Sequence, residues 1–161
     1  YIPHAVDPET FSPAPPEAIS QFREELMPEE KDKFVVFWNN RNARRKMPGS
    51  LLFYFNEFLN QVGSDKAQLI MHTDPNDQHG PNLEAILHKL DLVNGEVKLS
   101  NKTVDPAQLA IMYNVADVTI NISDAEGFGL SAMESLTSGT QLISTLTSGL
   151  QEQITDGENT F

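Results

Sequence analysis

The chain has 161 residues, 39% of them hydrophobic and 21% charged, enough for one domain with a real core. A formal net charge of −12 repels nucleic acid and anionic membrane, which starts both as poor partners. The absence of cysteine excludes disulfides and thiolate metal sites, and no apolar run approaches the length of a membrane span.

Residues 1–16 carry Pro3, Pro8, Pro13, Pro15 and Pro16, a density that suits neither a helix interior nor a central strand. They read as a linker, and the domain proper is expected over 17–161. Ile19, Phe22 and Leu26 predict a helix over 17–27. The run Phe34-Val35-Val36-Phe37-Trp38 predicts a buried strand over 33–38, with Trp38 in the core or bordering a site. Leu51, Leu52, Phe55, Phe58, Leu59 and Val62 give one broad apolar face to a helix over 50–62. A strand over 67–72 is followed by a helix over 81–90, with Pro81 in its first turn and a half-buried His88. A strand over 96–99 leads to a helix that starts at Asp105-Pro106, with Asp105 as N-cap, and runs to about Asn114. A strand over 117–122 is expected to bury Val118, Ile120 and Ile122. Then come a helix over 130–137 ended by Gly139, a strand over 141–144 and a short helix over 149–155. Strands alternating with helices imply an α/β fold: a parallel sheet with helices on both faces. In such sheets ligands bind beyond the carboxyl ends of the strands.

Three loops stand at such ends. The first, Asn39-Asn40-Arg41-Asn42-Ala43-Arg44-Arg45-Lys46, holds four of the eleven basic residues of an acidic chain. Arginine offers a planar fork of donors and lysine a mobile point charge, both suited to a diphosphate; a plain solvated loop is the competing reading. The second is Glu126-Gly127-Phe128-Gly129-Leu130-Ser131-Ala132-Met133-Glu134. Its glycines let backbone amides approach a ligand, and the helix that follows turns its positive end to the same place. Glu134 lies one turn into that helix, where a carboxylate can accept both hydroxyls of a ribose. Ordinary helix capping competes here. The third, residues 71–80, holds His72, Asp74, Asp77 and His79, but Pro75 and Gly80 mark plain turns and no metal site is expected. His4, beside Pro3, is placed to reach an interface.

These motifs, in this order and spacing, resemble the donor-binding, C-terminal domain of the retaining glycosyltransferases of family 4, one half of the two-domain GT-B architecture. The likeness covers nearly the whole chain. Ile2-Pro3-His4-Ala5-Val6-Asp7, with Phe11 and Pro13, resembles the segment that enters that domain. Arg41 and Lys46 match the family's diphosphate-binding arginine and lysine. Val97-Lys98-Leu99-Ser100 resembles the strand end beside the nucleobase, and Glu126 and Glu134 match its paired glutamates. Gly139 and Asp156-Gly157 fall in order. Asn40, Met47, Gln141 and Thr160 depart from the pattern: three stand where glycine is usual and Gln141 where proline is.

The resemblance implies a Rossmann-like sheet over 17–161, C-terminally incomplete, with 1–16 as the interdomain segment and the N-terminal acceptor domain absent. It implies transfer of a sugar from a nucleotide diphosphate sugar to an acceptor hydroxyl with retention. Arg41, Lys46 and Glu126 would be catalytic. Gly127, Phe128, Gly129, Leu130, Glu134, Lys98 and Leu99 would bind the donor. No metal or other cofactor is implied. The implied partners are the sugar nucleotide, the acceptor domain and an acceptor of unknown type. The implied setting is cytoplasmic, with any contact to the cytosolic face of a membrane made through the absent domain. The isolated chain is expected to be inactive. Three other readings share parts of this pattern. They are a non-catalytic module derived from a transferase, a GT-B-type epimerase or phosphorylase, and a nicotinamide oxidoreductase. For the last, no G-x-G-x-x-G follows the first strand.

Overall fold

A computed structural model describes residues 4–154. Ile2, Pro3, the Asp156-Gly157 turn, Thr160 and the last residue expected of the final helix lie outside the described residues. The described residues before Pro16, 4–15, form no helix or strand, although Phe11 among them is buried.

The elements are α1 (Pro16–Leu26), β1 (Phe34–Asn39), α2 (Pro48–Val62), β2 (Ala67–His72), α3 (Leu83–Lys89), β3 (Val97–Ser100), α4 (Pro106–Val115), β4 (Val118–Asn121), α5 (Leu130–Thr137), β5 (Gln141–Ser144) and α6 (Gln151–Ile154). The five strands form one parallel sheet in the order β3-β2-β1-β4-β5. The chain therefore builds outward from β1 to β3, then returns to lay β4 on the other side of β1. That reversal opens a crevice at the carboxyl ends of β1 and β4.

Alternation along β1 sends its side chains to two cores. Val36 and Trp38 pack with Leu51, Leu52 and Phe55 of α2 and with Leu83 and Leu87 of α3. Val35 and Phe37 pack with Phe11, Met27, Ala110 and Tyr113, on the face covered by α1 and α4. Trp38 is fully buried in the first core. Burial of such side chains is worth about 25 cal/mol per Å² of apolar surface, and it is what holds the strand ends in place. Among the described residues, no helix is long and apolar enough to cross a membrane.

Local chemistry explains the boundaries that differ from expectation. Helix α3 starts at Leu83, not Pro81, because the Asn82 side chain accepts from the amide of Ala85 and caps it. Asp105 does cap α4, in a reciprocal capping box with Gln108. Ile120 and Ile122 are half-buried rather than buried, because the sheet face at β4 and β5 is only partly covered, and Ile143 nearby is exposed. Phe58 and Val62 are exposed where α2 outruns the sheet, and His88 is exposed.

Candidate functional site

The basic loop leaves β1 and is tied down on both sides. The Asn42 side chain, fully buried, donates to the carbonyls of Pro75 and Pro81 at 3.1 and 2.9 Å. The amide of Arg44 donates to His79, and the carbonyl of Arg45 accepts from Asp124. A single 3-10 turn, Arg44–Lys46, then turns Lys46 inward. Met47 follows at φ 55°, a left-handed conformation that glycine adopts freely. That accounts for the usual glycine at this place and makes Met47 a strained departure from it.

Lys46 meets Glu126 in an ion pair, both side chains less than 10% exposed. Arg45 approaches the same carboxylate at 3.3 Å and also binds the carbonyl of Ala125. Asn121 and Ser123 donate to Glu126 from below, at 3.3 and 3.2 Å. Burial alone would raise the Glu126 carboxyl. The hydrogen bond and charge of Lys46, with Asn121 and Ser123, outweigh burial and hold it below the ordinary carboxylate value. For Lys46 burial wins, and its ammonium is pushed down despite Glu126. Glu126 is thus a buried anion, and Lys46 a buried cation paired with it.

Glu134 projects from α5 to the same crevice. Its Oε2 accepts from the Tyr113 hydroxyl at 2.7 Å, and that hydroxyl accepts from Asn39 Nδ2 at 2.9 Å. Burial raises the Glu134 carboxyl, opposed by the Tyr113 bond. Helix α5 opens at Gly129, φ 87°, and a Cβ there would come within 2.5 Å of Leu150. The first amides of the helix, those of Leu130 and Ser131, have no acceptor among the described residues, which leaves its positive end open.

Together these groups line one cavity of about 400 Å³: His4, Asn39, Asn40 and Lys46, then Glu126, Phe128 to Ser131, and Glu134. His4 lies 5.3 Å, ring to ring, from Phe128. A buried anion, a buried cation, a hydrogen-bonded carboxylate and free amides can together hold a ligand that carries both phosphate and hydroxyls.

The structure brings Lys46, Glu126, Phe128, Gly129, Leu130 and Glu134 to this cavity, but not the other expected residues. Gly127 stands outside it, with open space where a Cβ would be. Arg41 turns to an adjoining cavity of about 340 Å³, which shares Asn39 and Asn40 with the first. There it binds Asp77 at 2.6 Å and His79 at 2.7 Å. Lys98 points to the α1 face, paired with Glu30 at 3.0 Å. Leu99 packs against the first core, and the β3 residue that reaches the adjoining cavity is Ser100. Strand alternation explains both: the side chains of 98 and 99 lie on opposite sheet faces, and neither faces the strand's end. In the loop over 71–80, Asp74, Asp77 and His79 serve its own turns and Arg41, His72 pairs with Ser100 of β3 at 3.0 Å, and no cluster of three metal-ligating side chains occurs among the described residues. Tyr113, Asn121 and Ser123, which with Asn39 of the first loop orient the two glutamates, were not among the residues expected at the site. The pair Asn121 and Ser123, polar residues at the end of an apolar strand, was the available signal.

The family described as "Glycosyl transferases group 1" matches residues 20–161. The D-inositol 3-phosphate glycosyltransferase of Corynebacterium jeikeium (strain K411) is 27% identical over 163 residues, covering 98% of this chain and 38% of its own length. Among solved structures, sucrose-phosphate synthase from Thermosynechococcus elongatus superposes with a TM-score of 0.77 at 26% identity, over 95% of this chain and 36% of that one. Anabaena HepE in complex with UDP-glucose gives a TM-score of 0.76 at 20% identity, over 98% of this chain and 41% of that one. The chain thus spans 36–41% of the length of these relatives.

Proposed function

Since this chain belongs to the group 1 glycosyl transferases and has the sheet of a GT-B C-terminal domain, we propose that it is the donor-binding half of a retaining enzyme of family 4. That enzyme would move a sugar from a nucleotide diphosphate sugar to an acceptor hydroxyl. The carrying observation is the gathering of Lys46, Glu126, Glu134 and the open amides of α5 around one cavity at the β1–β4 crevice.

Negative charge grows on the leaving β-phosphate as the glycosidic bond breaks. On this reading Lys46 meets that charge while still bonded to Glu126, since an ammonium has three donors. The amides of Leu130 and Ser131 add to it. Arg41 joins by leaving Asp77. Preorganised donors of this kind are each worth about 3–4 kcal/mol, a hundred- to a thousandfold in rate. Glu126 takes hydroxyls of the transferred sugar and Glu134 those of the ribose. These cations stand where another enzyme would place a divalent metal, so EDTA is expected to leave binding unchanged.

Calorimetric titration with UDP, GDP and ADP tests the reading. One of them binds, and Lys46→Ala weakens it more than it weakens the matching nucleoside. Folded protein that gives no heat with any of the three would sink the donor site; equal losses for nucleotide and nucleoside would remove Lys46 from the phosphate.

A further inference from the structure

Tyr113 lies outside the cavity, yet it holds one of the cavity's groups. It is fully buried, and its ring is set edge-on to Phe37 at 5.1 Å and to Phe11 at 6.2 Å. Its backbone carbonyl accepts from the Thr140 hydroxyl at 2.7 Å and from the amide of Ala116 at 3.1 Å. The ring therefore has little freedom, and its hydroxyl is a fixed point in space.

The hydrogen bonds at that hydroxyl have one direction. The amide nitrogen of Asn39 can only donate, and a phenol has a single proton. Because the hydroxyl accepts from Asn39 at 2.9 Å, its proton goes to Glu134 Oε2 at 2.7 Å. A proton on that oxygen would oppose the phenol's own, so Oε2 remains an acceptor and Oε1 is left for the cavity. We infer that Tyr113 is a positioning residue for nucleotide recognition: by holding Oε2 it presents Glu134 Oε1 to the vicinal hydroxyls of the ribose. The inference rests on the reading that Glu134 binds the ribose. It adds that selection for a ribose depends on a residue that never touches the ligand. A glutamate free to rotate would have to be ordered by the ligand itself, at a cost in affinity.

The test compares the best-binding of UDP, GDP and ADP with its 2′,3′-dideoxy analogue, by titration of the chain. The wild type should favour the ribose form at least about tenfold, the worth of one hydrogen bond to a charged group. Tyr113→Phe should collapse that preference toward the ratio given by Glu134→Gln, and adding it to Glu134→Gln should change the ratio no further. A merely structural Tyr113 would lower thermal stability and keep the wild-type ratio, which overturns the inference. A wild type that binds both forms equally overturns the ribose reading of Glu134, and the inference with it. Where Tyr113→Phe does not fold, 3-fluorotyrosine at position 113 keeps the ring and strengthens the donor. A changed ratio then supports the inference and an unchanged one overturns it.

Discussion

Asp77 and any bound phosphate compete for Arg41. Asp77 is mostly buried, and the Arg41 bond, followed by the amide and ring of His79, holds its carboxyl far below the ordinary carboxylate range. Asp77 is therefore charged at every working pH, and the guanidinium must break a bidentate pair to reach a ligand. Asp77→Asn removes the competing charge and is expected to tighten nucleoside diphosphate binding several-fold, about 3–10-fold, the worth of one exposed ion pair or a little more. Arg41→Ala should then cost more affinity in the Asp77→Asn background than in the wild type. Equal costs in the two backgrounds, measured by titration, would show that the pair does not gate Arg41. The two glutamates give opposite pH signatures. Glu126, lowered, adds stability above its ordinary value and loses it as pH falls through the lowered one. Glu134, raised, favours the fold when protonated, and that contribution is lost as pH rises through the raised value. Glu134→Gln keeps an acceptor for Tyr113 and removes the charge. It should raise Tm at pH 7 by a few degrees, about 2–4 °C per kcal/mol for a chain of this size. The advantage should vanish below roughly pH 4, where a glutamate is protonated in both states. Melting curves across pH that show no such convergence would count against the buried environment of Glu134.

At the scale of elements, two glycines that read alike in sequence do different things. Gly129 needs its positive φ to open α5, and a side chain there would strike Leu150. Gly129→Ala is expected to destabilise by about 1–3 kcal/mol. Gly127 has open space around it, and Gly127→Ala should leave Tm within a degree or two, a contrast that paired thermal melts would reveal. The pattern Gly-Phe-Gly marked the turn but could not separate these roles, because φ depends on where the chain goes next. The same limit runs through the rest of the reading. Strand β2, helix α5 and strand β5 were legible to the residue, since their apolar period and the Gly139 stop are local signals. The burial of Ile120 and Ile122 was not, because it depends on what covers β4 and β5 from elsewhere. The loops that hold Lys46, Glu126 and Glu134 could be picked out because they follow strand ends, and Lys46 itself through its match to the family's lysine. The pairing of Arg41 with Asp77, thirty-six residues away, and the support of Glu134 by Tyr113 are tertiary facts that no window of sequence contains.

For the whole molecule, the decisive feature is that the crevice is served from one side. The strand order places the cation loop after β1 and the glutamate loop after β4 at a single switch point, and on the proposed reading every group described there would belong to the leaving-group or donor side of a transfer. A sugar transfer also needs an acceptor hydroxyl held within about 3.5 Å of the anomeric carbon, and holding reactants in that way is worth effective molarities of roughly 10⁵–10⁸ M. This chain covers 36–41% of the relatives it matches, and on the proposed reading the remainder of the longer protein supplies that acceptor wall and excludes water. The isolated chain is therefore expected to bind a nucleoside diphosphate but to transfer no sugar, and to hydrolyse its sugar nucleotide no faster than buffer does. NMR of the anomeric signal, followed over days with the chain, the donor and a panel of hydroxyl acceptors, measures both rates. The full-length protein, assayed alongside, should consume the donor and yield a product of unchanged anomeric configuration. Turnover by the isolated chain would mean that the groups around Lys46, Glu126 and Glu134 suffice for the chemistry, and the two-sided account of the crevice would have to be abandoned.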